Sequence, residues 1–205
     1  MSVQAVAQNS RESILDAAQQ LIARHGYDGF SMRELSQHSG VAKSTLYHYF
    51  QDKREIYLNV LERDMRLLQE KLAAMVGTSA EPTRDRLYAL IAVYNDAVQE
   101  RGILALNVLR SAGELDAAFS RFFRQQRDAF MQPFRTVLLD GVEQGAVRGD
   151  LDVDMAILSL IGMINGFVAQ RMLVDCIGDE AVIPAREMMI EHTLALYLGG
   201  ISRRS

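Results

Sequence analysis

Cysteine is nearly absent from this chain: Cys176 is the only one in 205 residues. One thiol cannot build an internal disulfide framework, and it fits a reducing compartment. The opening MSVQAVAQNS lacks the charged start and apolar run of a secretion signal. The longest weakly polar stretch, Met155 to Ala169, contains Ser159 and Asn165 and falls short of the roughly 20 residues a membrane span needs. No membrane association is expected, and the expected location is the cytoplasm. Repeats, low-complexity tracts and long linkers are missing. Sustained strand alternation with hairpin turns is missing too, which leaves an all-α reading.

Catalytic signatures are also lacking. There is no H-E-x-x-H, no phosphate-binding glycine loop and no G-x-S-x-G elbow. His25, His38, His48 and His192 do not have metal-ligand spacing, and His192 reads as a helix-bundle residue. Cys176, near a helix end, reads as a buried structural thiol. The chain is therefore not expected to be an enzyme or to carry a cofactor or metal. Nor is there a surplus of positive charge. Lys and Arg number 22 against 26 Asp and Glu, for a net charge of −4, which is not the profile of a simple nucleic-acid binder. Residues 1 to 60 set Arg11, Arg24, Arg33, Lys43, Lys53 and Arg54 against Glu12, Asp16, Asp28, Glu34, Asp52 and Glu55. Any DNA contact must then come from a few cations sharing one face, with a modest salt dependence.

What the chain does have is concentrated in SMRELSQHSGVAKSTLYHYFQDKRE, residues 31 to 55. Ser31 and Glu34 form an S-x-x-E capping box, and Asp52 and Glu55 repeat the pattern as D-x-x-E. Gly40 suits a helix end, and Val41 plugs the turn after it. Two short helices joined by a tight turn, with a donor-rich second helix from about Ala42 to Tyr49, make a helix-turn-helix. That motif lays its second helix in the DNA major groove. Ser44 and Thr45 sit near the end that meets base edges, Lys43 can reach guanine or phosphate, and Tyr47 and Tyr49 carry hydroxyls on stiff arms. Lys53 stands at a helix start that favours an anion. Leu46 and Phe50 read as core.

Residues 11 to 60 resemble the DNA-binding domain of the TetR family, the tetracycline-repressor-like bacterial regulators. The landmarks are Gly26, Phe30, the S-M-R-E start, Gly40-Val41, the T-L-Y-H-Y-F string from Thr45 to Phe50, and Lys53. The resemblance implies that Arg33, Lys43, Ser44, Thr45, Tyr47, His48, Tyr49 and Lys53 occupy DNA-meeting positions. It implies an all-α fold in which a three-helix helix-turn-helix head, residues 1–55, precedes a helical ligand-binding and dimerisation body, residues 56–205. It also implies that the last two helices pair with their copies in a second subunit, and that a small molecule changes the spacing of the two heads.

In the body, apolar residues at helical spacing predict helices over about 53–75, 82–102, 103–110, 115–144, 153–174 and 184–198. Pro133 should kink or break the long one. Met155 to Val168 is apolar all round, so a helix there must be buried all round, partly by a partner. The candidate dimer residues are Ile157, Ile161, Ile164, Val168, Ile190, Leu194 and Tyr197. The G-x-x-x-G of Gly162 and Gly166 permits close helix approach. Polar residues among apolar neighbours, together with two aromatic rings of the long helix, are the candidate effector contacts: Tyr94, Asn95, Asn107, Arg110, Phe123, Phe130 and Asn165. Few charges interrupt these helices, so the expected effector is mainly hydrophobic. The reading is a ligand-responsive regulator, a repressor, that binds palindromic operator DNA as a homodimer. The alternatives are a helical protein-interaction module and a ligand carrier without DNA recognition.

Overall fold

The computed structural model describes residues 3–27, 29–110, 117–177 and 184–202, with side chains except at 3–9, 100–110, 117–120, 123, 172, 173 and 175–177. Its elements are α1 (Val3–His25), α2 (Met32–Ser39), α3 (Lys43–Tyr49), α4 (Lys53–Ala74), α5 (Thr83–Arg110), α6 (Ala117–Glu143), α7 (Val153–Ile177) and α8 (Arg186–Ile201). Among the described residues the only β pairing is an isolated bridge between Val147 and Ser202. The fold is all-α.

The helices form two compact units, Met1–Arg66 with Ile103–Arg121, and Leu67–Gly102 with Phe122–Ser205. The first unit reaches beyond the expected division after residue 55. The reason is that the first half of α4 packs on α1. Ile56, Tyr57, Val60 and Leu61 are buried. Arg63 reaches Asp16 at 2.7 Å and Gln19 at 2.9 Å, and Gln19 donates to Asp64 at 2.9 Å. Arg11 donates to Asn59 at 2.5 Å and lies over the Phe50 ring.

Local chemistry sets the short helices. Ser31 Oγ accepts from the Glu34 N–H at 3.2 Å, and a Glu34 carboxylate oxygen accepts from the Ser31 N–H at 2.7 Å. Both halves of the expected capping box are thus present. The Ser31 hydroxyl also donates to that carboxylate at 2.9 Å, and this bond, followed by the one from the Ser31 N–H, holds the Glu34 carboxyl below its usual range. Gly40, at φ 69°, takes the left-handed conformation that ends α2, a region costly for residues with a Cβ. Ser36 Oγ donates to the Val41 carbonyl at 2.7 Å and closes the turn. At the start of α4, Asp52 Oδ1 accepts from the Glu55 N–H at 2.8 Å, as expected. The Glu55 carboxylate, however, reaches back to the N–H of Gln51.

The second unit is built around Leu87, Leu90, Ile91, Met131, Phe134, Val137, Leu138, Ile157, Leu160, Ile164, Ile190 and Leu194. One boundary differs from expectation. Helix α5 continues through Gly102 to Arg110 as one element: a glycine lowers helix stability by only about 1 kcal/mol, which a helix of 28 residues can absorb. Helix α6 continues across Pro133, so of the two outcomes expected there the break does not occur. In α7, Val153–Arg171 is long and apolar enough to cross a membrane by length and composition alone, contrary to the argument from run length. Its Ile157, Leu160 and Ile164 pack in the protein core, and 28 % of that stretch is buried within the chain.

Candidate functional site

In the head, α3 has two distinct faces. Leu46 and the following Phe50, one turn apart, are buried. Lys43, Ser44, Tyr47 and His48 are exposed on the opposite side, and Thr45 and Tyr49 are half-buried at its flanks. Tyr47 keeps 49 % of its surface in solvent, with the Lys43 ammonium 5.9 Å from its ring. His48 touches Tyr49 edge-on at 5.3 Å and does not enter the core. Lys43, Ser44, Tyr47 and His48 thus point outward, because the two hydrophobic anchors fix the helix rotation. Arg33 of α2 is exposed as well. Lys53 is half-buried, its ammonium 4.6 Å from the centroids of both Tyr27 and Phe30. Cation–π contact of this kind orients a lysine without neutralising it.

In the body, Tyr94 and Asn95 are buried side by side on α5. The Tyr94 hydroxyl donates to Asn165 Oδ1 at 2.9 Å, and its ring packs on Phe130, which packs on Phe134. Burial pushes the Tyr94 hydroxyl pKa up, and the bond to Asn165 partly opposes this. Asn165 itself is exposed. Four of the expected effector residues therefore bear on one another in pairs or by adjacency. The side chains of Asn107, Arg110 and Phe123 lie outside the described residues, as does that of Cys176. No group of three or more metal-ligating residues occurs among the described residues.

Of the expected dimer residues, Ile157, Ile164, Val168, Ile190, Leu194 and Tyr197 are buried within the chain's own core, and Ile161 is packed against it. The exposed stripe of α7 is Met155, Leu158, Gly162 and Gly166, and that of α8 is Met188, His192, Leu196 and Gly199. An added Cβ at Gly162, Gly166, Gly199 or Gly200 would meet nothing within 4 Å. Both stripes recur at three- and four-residue spacing. That signal was available in the sequence, but periodicity does not say which of two apolar faces turns inward.

Other residues that sequence reasoning passed over hold the body together. Arg86, only 2 % exposed, donates to the Val76 carbonyl and to Asp140, each at 2.7 Å. Arg186 grips both oxygens of Asp96 at 2.5 and 2.6 Å, and Arg135 holds Asp154 at 2.7 Å. The partners lie 54, 90 and 19 positions apart, beyond the reach of a local pattern.

Comparison with known proteins agrees with this architecture. The pattern of bacterial regulatory proteins of the tetR family matches residues 14–60, and that of a tetracyclin repressor-like C-terminal domain matches residues 80–169. The HTH-type transcriptional repressor AcnR of Corynebacterium glutamicum is 24 % identical over 168 residues, spanning 79 % of this chain and 81 % of that protein. The fatty acid metabolism regulator protein of Bacillus subtilis is 22 % identical over 162 residues, 79 % of this chain and 83 % of its own. Among solved structures, FadR of Bacillus subtilis in complex with stearoyl-CoA superimposes with a TM-score of 0.75 at 20 % identity, covering 93 % of this chain and 98 % of that one. A protein from Saccharomonospora viridis, assigned as a transcriptional regulator and solved in complex with choline, gives 0.80 at 22 % identity, covering 96 % and 100 %. With both the head and most of the body matched, the chain belongs to the TetR family of bacterial regulatory proteins.

Proposed function

We propose that this protein is a repressor that binds an inverted-repeat operator as a homodimer and is released by a small, mainly hydrophobic effector. The observation that carries the reading is the rotation of α3. With Leu46 and Phe50 as anchors, Lys43, Ser44, Tyr47 and His48 face solvent together. Lys43 and Ser44 lie in the first turn, where a recognition helix meets base edges. Tyr47, Tyr49, Arg33 and Lys53 take the phosphate-positioning role, which sets register rather than sequence. Few cations are available, so electrostatics contribute modestly and base contacts carry much of the preference.

The second copy seats on the exposed stripes of α7 and α8. Met155, Leu158, Met188 and Leu196 supply apolar surface, and the open glycines allow close helix approach. A two-fold dimer of this kind reads half-sites one helical turn or a multiple apart. The effector lies in the body, where Tyr94, Asn95 and Phe130 set polar groups beside aromatic walls. The neighbours solved with stearoyl-CoA and choline support a body that holds small molecules. They do not fix the chemistry here, since likeness at this identity speaks to fold. An effector acts only through its different affinity for DNA-bound and released states.

Selection of bound duplexes from a random pool tests the reading. The expected result is an inverted repeat, and Ser44→Ala with Tyr47→Ala should abolish enrichment while the protein stays folded and dimeric. Enrichment of no sequence by the folded wild type would refute it.

A further inference from the structure

The head has few cations, so where each one stands matters more than their number. Lys53, in the first turn of α4, carries a compact charge on a flexible four-carbon stem. Such a side chain ordinarily samples many positions. Here its ammonium lies 4.6 Å from the ring centroid of Tyr27 and 4.6 Å from that of Phe30. Two rings at equal distance locate the charge, and neither neutralises it. The rings are themselves held. Phe30 is buried. Tyr27 follows Gly26, whose left-handed φ of 71° turns the chain at the end of α1, and its ring packs on that of Tyr57 at 4.9 Å. Tyr57 is buried in turn and stands four positions after Lys53 on the same side of α4. Tyr27 thus spans both the cation and its brace. Lys53 and Tyr27 each make a further interaction; what the rings contribute is the position of the charge.

We infer that Tyr27 is a positioning residue for DNA binding: with Phe30 it holds the Lys53 ammonium where the first turn of α4 meets a backbone phosphate. This rests on the reading of Lys53 as a phosphate contact. A phosphate contact sets register and carries no sequence information. The influence of Tyr27 is therefore the same on every duplex. It belongs to the ring and not to the hydroxyl, because the ring face is what attracts the ammonium.

Fluorescence anisotropy of the full-length protein tests this with labelled duplexes of equal length, one carrying the selected inverted repeat and one scrambled. Tyr27→Leu should weaken binding to both about fivefold, the scale of one cation–π contact. Tyr27→Phe, which keeps the ring, should bind as wild type does. Lys53→Met should weaken both at least as much and lower the slope of log affinity against log salt by about 1. In that background Tyr27→Leu should have no further effect, whereas a ring that merely packs the head would still cost affinity there. A second readout needs no variant. Lys43, Lys53 and Lys71 are the only lysines, so lysine-selective labelling resolves each side chain. Ring current should set the Lys53 ε-methylene protons of the free wild type upfield of those of the exposed Lys71, and added duplex should shift them. The inference is overturned, with Lys53 still a phosphate contact, by a Tyr27→Leu loss that persists beside Lys53→Met or is confined to the inverted repeat. The same loss in Tyr27→Phe, or Lys53 methylene signals at the Lys71 position, overturns it equally. If Lys53→Met binds both duplexes as wild type does, the phosphate reading of Lys53 fails and the role of Tyr27 fails with it.

Discussion

The segment from Ser31 to Glu55 satisfies its polar groups mostly through near neighbours, whereas the body helices add pairs that span most of the chain. In the first, Ser31 bonds Glu34, Ser36 bonds Val41, Ser39 bonds Leu35 and Asp52 bonds Glu55, all within five positions. In the second, Arg86 bonds Asp140, Tyr94 bonds Asn165 and Arg186 bonds Asp96, across 54, 71 and 90 positions. Local partners make a segment that can be recognised wherever it occurs and that tolerates a changing context. Distant partners make a body whose polar groups are correct only when the whole unit is assembled. A surface that keeps one shape to meet DNA benefits from the first arrangement.

The sharpest way to break this comparison is at Arg86. Replacing it with methionine leaves Asp140 and the Val76 carbonyl without their donor. The expected loss is about 3 kcal/mol of unfolding free energy, since removing one partner of a buried ion pair strands the other. Denaturant titration should show the drop, whereas Arg84→Ala, which breaks the exposed pair with Glu191, should cost well under 1 kcal/mol. Similar losses for the two would show that long-range burial is not what holds the body.

Next in size is a pair of glycines. A Cβ at Gly141 would stand 2.8 Å from Val147 Cγ2 and 3.1 Å from Thr83 Oγ1, so Gly141→Ala should cost about 2 kcal/mol through overpacking. Gly162→Ala meets nothing within 4 Å and should leave monomer folding unharmed or slightly improved, by the helix preference for alanine. A bulkier Gly162→Leu should weaken self-association in sedimentation without loss of helicity. If Gly162→Leu dimerises normally, the assignment of the α7 face is wrong.

Smaller effects follow at the cap and with pH. Ser31→Ala removes a side-chain cap and half of a reciprocal box, an expected loss of about 1 kcal/mol, read as a lowered midpoint of thermal unfolding. Asp96 is held below the ordinary carboxylate value of 3.8, first by its bond to Arg186. A depressed folded pKa gives stability that is present above that ordinary value and is lost as pH falls through the folded one. Both side chains are more than a third exposed, so the contribution should be a fraction of 1 kcal/mol. Unfolding at pH 7 and pH 2.5 should show a slightly smaller acid loss in Asp96→Asn than in wild type. An identical loss would remove Asp96 from the account.

By itself the sequence determined the helix-turn-helix and its outward face. Capping, the turn glycine at Gly40 and the Leu46–Phe50 spacing are decided by neighbours a few bonds away, and so they remain visible in one dimension. It also determined that α7 needs burial on more than one side, because apolar residues cover its circumference. Which side faces the core was decided by tertiary packing: Ile157, Ile164 and Val168 turn inward while Met155, Leu158 and Gly162 remain in solvent. Packing likewise decided that Gly102 and Pro133 lie inside continuous helices and that α4 belongs with α1 as far as Arg66. Short-range hydrogen bonds are written in adjacent letters, whereas burial is a property of the assembled chain.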